Sequence, residues 1–222
     1  MKDNLTEIVF ILDQSGSMAS LRDDTIGGYN SYIEDQKKEK GEAYLTTVLF
    51  DDRYVLLHDH VNLQNVKPIT HADYCPTGCT ALMDAVGRTI NSVGQRLANT
   101  PEEERPAHVI FVITTDGYEN ASKEFTRNQV KKMIEHQQEK YAWQFIFIGA
   151  GIDAYAEAES IGLGGYHTMS VSKSSFGAQS MYSSVTFASS AIRGAGGGGG
   201  GATLDSLGDS WKTGDLGNEE NR

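Results

Sequence analysis

Short apolar runs alternate with longer amphipathic stretches along most of the chain. The runs predict six strands, at residues 7–13, 43–50, 53–57, 107–114, 143–149 and 166–171. Between them, apolar positions spaced three and four apart predict helices at residues 23–40, 80–98, 128–140, 153–161 and 174–192. Runs that are apolar on both faces are typical of buried parallel strands. The chain is therefore expected to form a doubly wound α/β fold, with helices on both faces of the sheet.

The second and third predicted strands are separated only by the two residues Asp51-Asp52. A connection that short predicts an antiparallel hairpin, so the third strand is expected at the edge of a six-stranded, otherwise parallel, Rossmann-like sheet. In such sheets ligands bind outside the carboxyl ends of the strands, near the point where strand order reverses. Candidate chemistry is expected there.

Polar residues follow two of the predicted strands and precede one helix. Asp13, Ser15 and Ser17 form a D-x-S-x-S string after the first strand, Thr80 precedes the second helix, and Asp116 follows the fourth strand. Carboxylate and hydroxyl oxygens are hard ligands of the kind that Mg²⁺ prefers. Each string alone is equally consistent with a polar turn or a helix cap.

These three segments together resemble the metal-ion-dependent adhesion site (MIDAS) of von Willebrand factor A (vWA) domains, and the likeness covers about residues 5–192. The resemblance implies that Asp13, Ser15, Ser17, Thr80 and Asp116 hold a divalent cation, Mg²⁺ or else Mn²⁺ or Ca²⁺. Thr77 lies near this set but outside the family position. The strings DTIGGYN, TALMDAVG and TTDGYENAS resemble short stand-alone bacterial members of the family.

Three further residues are candidates for the surroundings of this cation. Asp84 lies one helical turn beyond Thr80, and Gly117 and Asn120 follow Asp116. The alternative for Asp84 is a solvated helix residue without contact to the site. The alternative for Asn120 is a residue that caps the turn. Cys75 and Cys79 flank the threonine loop and are read as reduced thiols, with a small redox-sensitive ring as the alternative.

The resemblance implies a protein-binding module rather than an enzyme, in which a partner's carboxylate completes the coordination of the cation. The alternative is a Mg²⁺-dependent hydrolase or phosphotransferase on the same fold. Such enzymes place a second acid two residues after the nucleophile, and here that position holds Ser15, which cannot act as a general acid near neutral pH.

Charge and targeting signals narrow the expected partners. The net charge is −11, from 30 acidic and 19 basic residues, which disfavours nucleic acid. The first residues are polar, no run is long enough to span a bilayer, and two cysteines are too few for a disulfide framework. A cytoplasmic protein without membrane contact is expected.

The carboxyl-terminal part changes in composition. Six consecutive glycines at 196–201 precede a polar, acidic segment. Such a stretch cannot pack as a regular element. We therefore expect a vWA domain over residues 1–192, followed by a glycine-rich linker and a flexible acidic tail over 193–222.

Overall fold

Six strands form one sheet in the computed structural model, which describes residues 1–194 and 202–213. They are β1 (Lys2–Asp13), β2 (Glu42–Phe50), β3 (Tyr54–Asn62), β4 (Pro106–Thr115), β5 (Gln144–Ala150) and β6 (Thr168–Val171). Their order across the sheet is β3-β2-β1-β4-β5-β6. Only β3 runs antiparallel to its neighbour, so the predicted edge hairpin is confirmed.

Helices cover both faces of this sheet. They are α1 (Arg22–Lys38), α2 (Leu82–Asn99), α3 (Arg127–Tyr141), α4 (Ala154–Ser160), α5 (Ser175–Gly194) and the short α6 (Leu204–Leu207). Helices α1 and α5 pack on one face, and α2, α3 and α4 on the other. The doubly wound α/β class is thus confirmed, with small shifts in the ends of the elements.

The central strand β1 shows why the apolar runs were continuous. Phe10 and Leu12 point into the core beneath α1 and α5, whereas Val9 and Ile11 point into the core beneath α2 and α3. Successive strand residues face opposite sides, so a strand covered on both faces needs apolar residues throughout.

Strand order reverses at β1, because the chain moves from β1 to β2 and β3 and then returns to β4 on the other side. The two strands run parallel, with Leu12 opposite Thr114. Their carboxyl ends therefore lie side by side, which brings Asp13 and the residues after Thr115 to the switch point.

Helix α2 begins at Leu82, two residues later than predicted. The Thr80 backbone is engaged instead by the loop after β4: its N–H donates to Asn120 Oδ1 at 3.0 Å, and its carbonyl accepts from Asn120 N at 3.0 Å. Thr80 is thus held outside the helix, at the edge of the sheet.

Residues 203–213, expected to belong to the flexible tail, pack against the domain in the structure. Leu204 and Trp211 are fully buried against the core under α1 and α5. The Trp211 indole N–H donates to the Tyr166 carbonyl at 2.8 Å, and Ser184 Oγ donates to the Lys212 carbonyl at 3.1 Å. This apolar burial and these hydrogen bonds oppose the entropy lost on ordering the segment.

Residues 195–201 and 214–222 lie outside the described part of the chain, so the expected linker and the last acidic residues remain predictions. The boundary of the domain at residue 192 is likewise still a prediction. Among the helices that the structure describes, none is long and apolar enough to cross a membrane.

Candidate metal centre

The predicted metal site begins at the end of β1 with Asp13, whose side chain is fully buried. Its Oδ1 accepts from the Ser15 backbone N–H at 2.6 Å, and its Oδ2 accepts from Thr115 Oγ1 at 2.6 Å. These bonds fix the carboxylate between the ends of β1 and β4. Because the second bond crosses from one strand to the other, it joins the two loops predicted to hold the ion.

Ser15 and Ser17 point toward the same place, as the alternate spacing of the D-x-S-x-S string predicts. Their hydroxyl oxygens lie 3.0 Å apart, and Ser17 Oγ also donates to Asp116 Oδ1. Ser15 is buried, whereas Ser17 is exposed. The cluster therefore opens to solvent on the side of Ser17.

Thr80 joins this cluster through the loop after β4. A Cβ placed on Gly117 would lie 3.1 Å from Thr80 Oγ1 and 3.7 Å from Ser17 Oγ. Both hydroxyls thus approach the backbone of Gly117, where only glycine leaves ordinary space for them. Asn120 holds the Thr80 backbone through the bonds described above, so it positions this hydroxyl rather than only closing a turn.

Asp84 and Glu119 have a different role. Asp84 accepts from the backbone N–H groups of residues 123, 124 and 125, at 2.8, 2.9 and 2.9 Å. Glu119 accepts from Met83 N at the start of α2, at 2.8 Å. These carboxylates fasten the loop after β4 to α2, and the lowered pKa of Asp84 follows from its three backbone donors, although partial burial opposes them.

The threonine loop is tied to the aspartate loop by its backbone. Thr77 N donates to the Gln14 carbonyl at 2.8 Å, and Tyr74 Oη donates to the Asp13 carbonyl at 2.5 Å. Thr77 therefore supports the loop through its main chain. Cys75 and Cys79 are exposed and are not joined by a disulfide in the structure.

The electrostatics of the cluster favour an added positive charge. Burial raises the pKa of Asp13 from 3.8 to about 6, against the opposing effect of hydrogen bonds from Thr115 and Ser15, and the nearby Asp116 charge adds to the rise. The Asp116 side chain is also fully buried. Two buried carboxylates in one cluster destabilise each other unless a cation lies between them.

A cation near Asp116 is present in the form of Lys173, which sequence reasoning missed. Its Nζ lies 2.6 Å from Asp116 Oδ2. Within the described part of the chain, Asp116 Oδ2 accepts no hydrogen bond, so its contact with Lys173 is an ion pair. Lys173 lies in the loop between β6 and α5, and no local pattern of the sequence links it to Asp116.

Together these groups provide the oxygens that a hard divalent cation requires. Two carboxylates and three hydroxyls, from Asp13, Ser15, Ser17, Thr80 and Asp116, meet at one edge of the sheet. Within residues 1–194 and 202–213, no three His, Cys, Asp or Glu side chains form a metal cluster. The two carboxylates and three hydroxyls would form an all-oxygen set, which suits Mg²⁺, Mn²⁺ or Ca²⁺ better than a soft metal. The residues present fit the implied ion.

This chain resembles known proteins in its fold rather than in its sequence. No protein-family model matches the chain, and a comparison with curated proteins finds no match. Proximal thread matrix protein 1 (PTMP1) from the mussel byssus, with a zinc-occupied MIDAS motif, has a TM-score of 0.57 at 18% identity, over 84% of this chain and 46% of its own. A von Willebrand factor type A protein from Catenulispora acidiphila has a TM-score of 0.56 at 12% identity, over 85% and 43%.

The vWF domain of the type V pili tip protein Mfa5 from Porphyromonas gingivalis has a TM-score of 0.54 at 10% identity, over 82% of this chain and 95% of its own. This chain thus spans slightly less than half of the first two structures and nearly all of the third. Identities this low establish the fold alone. With the strand order and the antiparallel edge, they identify the fold of this chain as that of a vWA-like domain.

Proposed function

We propose that this chain is a metal-dependent protein-binding module. Asp13, Ser15, Ser17, Thr80 and Asp116 hold one divalent cation, and a carboxylate from a partner protein completes its coordination. The observation that carries this proposal is the meeting of these side chains at the switch point of the sheet, where the buried Asp116 carboxylate lies near Asp13 and accepts from Ser17.

The nature of the oxygens supports Mg²⁺ as the resident ion, with Mn²⁺ or Ca²⁺ as substitutes. Mg²⁺ is bound in proteins through one or two carboxylates together with neutral oxygens and water. The zinc in the MIDAS motif of PTMP1 supports a divalent ion at this place in the fold without selecting Mg²⁺.

The nature of the candidate ligands supports a carboxylate partner. Three of the five are weak, neutral hydroxyl ligands and the two carboxylates only neutralise a dication, so the ion would still accept one more anionic oxygen at an open coordination position. Ser17 marks the side from which that oxygen would arrive, because it is exposed while Asp13 is buried. The ion is needed for this step, since the chain carries a net charge of −11 and repels acidic partners.

The residue two positions after Asp13 argues against the hydrolase or phosphotransferase alternative. Such enzymes need a second acid there, and Ser15 cannot act as a general acid near neutral pH. We therefore propose a binding role without catalysis, in a reducing, cytoplasmic setting that two exposed free thiols fit.

Affinity capture from the proteome of the source cell tests this function. The wild-type chain is immobilised beside Ser17→Ala and Asp13→Ala variants, in Mg²⁺ and in EDTA. We expect a specific protein to be retained only by the wild type in Mg²⁺, and to be released by EDTA. Equal retention by all three proteins in EDTA would show that recognition does not use the metal site.

A further inference from the structure

Lys173 reaches the candidate metal centre from the loop between β6 and α5. A hydrogen bond from Gly151 N to the Val171 carbonyl, at 2.9 Å, fixes this loop to the end of β5. Gly151 has a positive φ of 71°, and a Cβ there would lie 3.1 Å from the Cβ of Lys173. The stem of the lysine is therefore packed against β5, with its ammonium directed at β4.

The ammonium contacts a carboxylate that has no other ion-pair partner among residues 1–194 and 202–213. Lys173 Nζ is 2.6 Å from Asp116 Oδ2, the side chain of Asp116 is fully buried, and that of Lys173 is 35% exposed. Asp116 Oδ1 accepts from Ser17, so both oxygens of this carboxylate are engaged. A buried carboxylate that loses its only cationic partner is strongly destabilised.

The same carboxylate is one of the two acidic groups available to the proposed divalent ion. A dication and an ammonium held by one carboxylate repel each other, and a half-exposed lysine stem lets the ammonium leave toward solvent. From this geometry we infer that Lys173 is a built-in competitor of the metal: it neutralises Asp116 in the metal-free protein and is displaced when the ion binds.

This inference rests on the proposed metal site and adds a residue that sets its affinity. Removing the ammonium abolishes the competing ion pair, so metal binding becomes tighter by about five- to tenfold. Metal occupancy is thereby coupled to the position of the Lys173 ammonium, while the loop that carries it stays fixed to β5.

Isothermal titration with MgCl₂ tests the competition on four proteins: the wild type, Lys173→Met, Lys173→Gln and Lys123→Met. Lys123 is exposed and follows the same metal-site loop, and its side chain makes no ion pair within the described residues. We expect the dissociation constant for Mg²⁺ to fall five- to tenfold in both Lys173 variants and to stay within about twofold in Lys123→Met. Unchanged or weaker binding in the Lys173 variants would overturn the inference.

A measurement on the unaltered protein covers the case in which the variants fold poorly. Acetylation of lysines by a soluble ester, followed by mass spectrometry, reports the reactivity of each ammonium. Lys173 should react slowly in EDTA and several-fold faster in Mg²⁺, with Lys123 unchanged. Equal rates in both buffers contradict the displacement. If neither the wild type nor any variant binds Mg²⁺, the proposed metal site itself is wrong, which is a distinct result.

Discussion

Thr115 Oγ1 donates a hydrogen bond of 2.6 Å to Asp13 Oδ2, and both side chains are buried. This bond joins the last residues of β1 and β4, the two strands between which strand order reverses. It also opposes the effect of burial on Asp13, because a hydroxyl that donates to the charged form stabilises that form.

Replacing Thr115 by valine should therefore destabilise the protein. The change keeps the shape of the side chain but leaves one oxygen of a buried carboxylate without its donor, at a cost of about 2 kcal/mol in the free energy of unfolding. Urea denaturation near pH 7 measures this. Affinity for Mg²⁺ should fall as well, because the Asp13 carboxylate loses its orientation.

Thr114→Val is the matched control. Thr114 is equally buried, and its hydroxyl has no hydrogen-bond partner in the described part of the chain. Removing an unsatisfied buried hydroxyl should leave the free energy of unfolding unchanged or raise it slightly. Equal losses of stability in the two variants would mean that the hydrogen bond from Thr115 to Asp13 does not stabilise the protein.

The raised pKa of Asp13 predicts how stability depends on pH in metal-free buffer. The unfolded group titrates near 3.8 and the folded group near 6. Between these values the folded state binds more protons, so the contribution of Asp13 to the free energy of unfolding decreases as the pH rises. Asp13→Asn cannot titrate, so its stability relative to wild type should rise by roughly 2 to 3 kcal/mol between pH 4 and pH 6. Denaturation in EDTA at several pH values measures this difference. A difference that does not change with pH would show that the pKa of Asp13 is not raised in the folded protein.

Gly117→Ala tests the close packing around the hydroxyls. The added methyl group would lie 3.1 Å from Thr80 Oγ1, which is closer than ordinary contact, so Thr80 or Ser17 must shift. We expect Mg²⁺ affinity to fall about tenfold, with a loss of stability below about 1 kcal/mol. Gly164→Ala is the control, because nothing lies within 4 Å of its added Cβ. Equal affinities in the two variants would place the ion elsewhere.

Trp211→Ala tests the docking of the segment after the glycines. The indole is fully buried and donates to the Tyr166 carbonyl. Its loss should cost about 3 kcal/mol in the free energy of unfolding and make residues 203–213 sensitive to protease. Asp205→Ala, whose side chain is 74% exposed, should change neither measurement appreciably. A wild-type segment cleaved as fast as the variant would restore the expectation of a flexible tail.

The sequence predicted the strands and the meeting of Asp13 with Asp116 for one physical reason. Both residues end apolar runs that are buried on two faces, and the ends of parallel strands share one edge of the sheet. Local pattern is enough to find such residues. The resemblance to the MIDAS selected Thr80 rather than Thr77, although Thr80 precedes its helix and would otherwise be interpreted as a cap.

Contacts between distant segments could not be predicted in this way. Lys173 reaches Asp116 only because β6 pairs beside β5, and nothing around Lys173 in the sequence indicates that pairing. Trp211 was read as part of a polar tail, because one aromatic residue among acidic ones does not form a periodic pattern. Asn120 was predicted near the site but read mainly as a turn residue, although it holds the Thr80 backbone.

Binding of one divalent ion per chain is the central claim, and titration with Mn²⁺ tests it most directly. Electron paramagnetic resonance of free Mn²⁺ gives the number and affinity of sites in the wild type, in Ser17→Ala and in Asp13→Ala. We predict one site in the wild type, about tenfold weaker binding in Ser17→Ala, no site in Asp13→Ala, and displacement by Mg²⁺. No bound Mn²⁺ in the wild type, or equal binding in the folded Asp13→Ala variant, would contradict it.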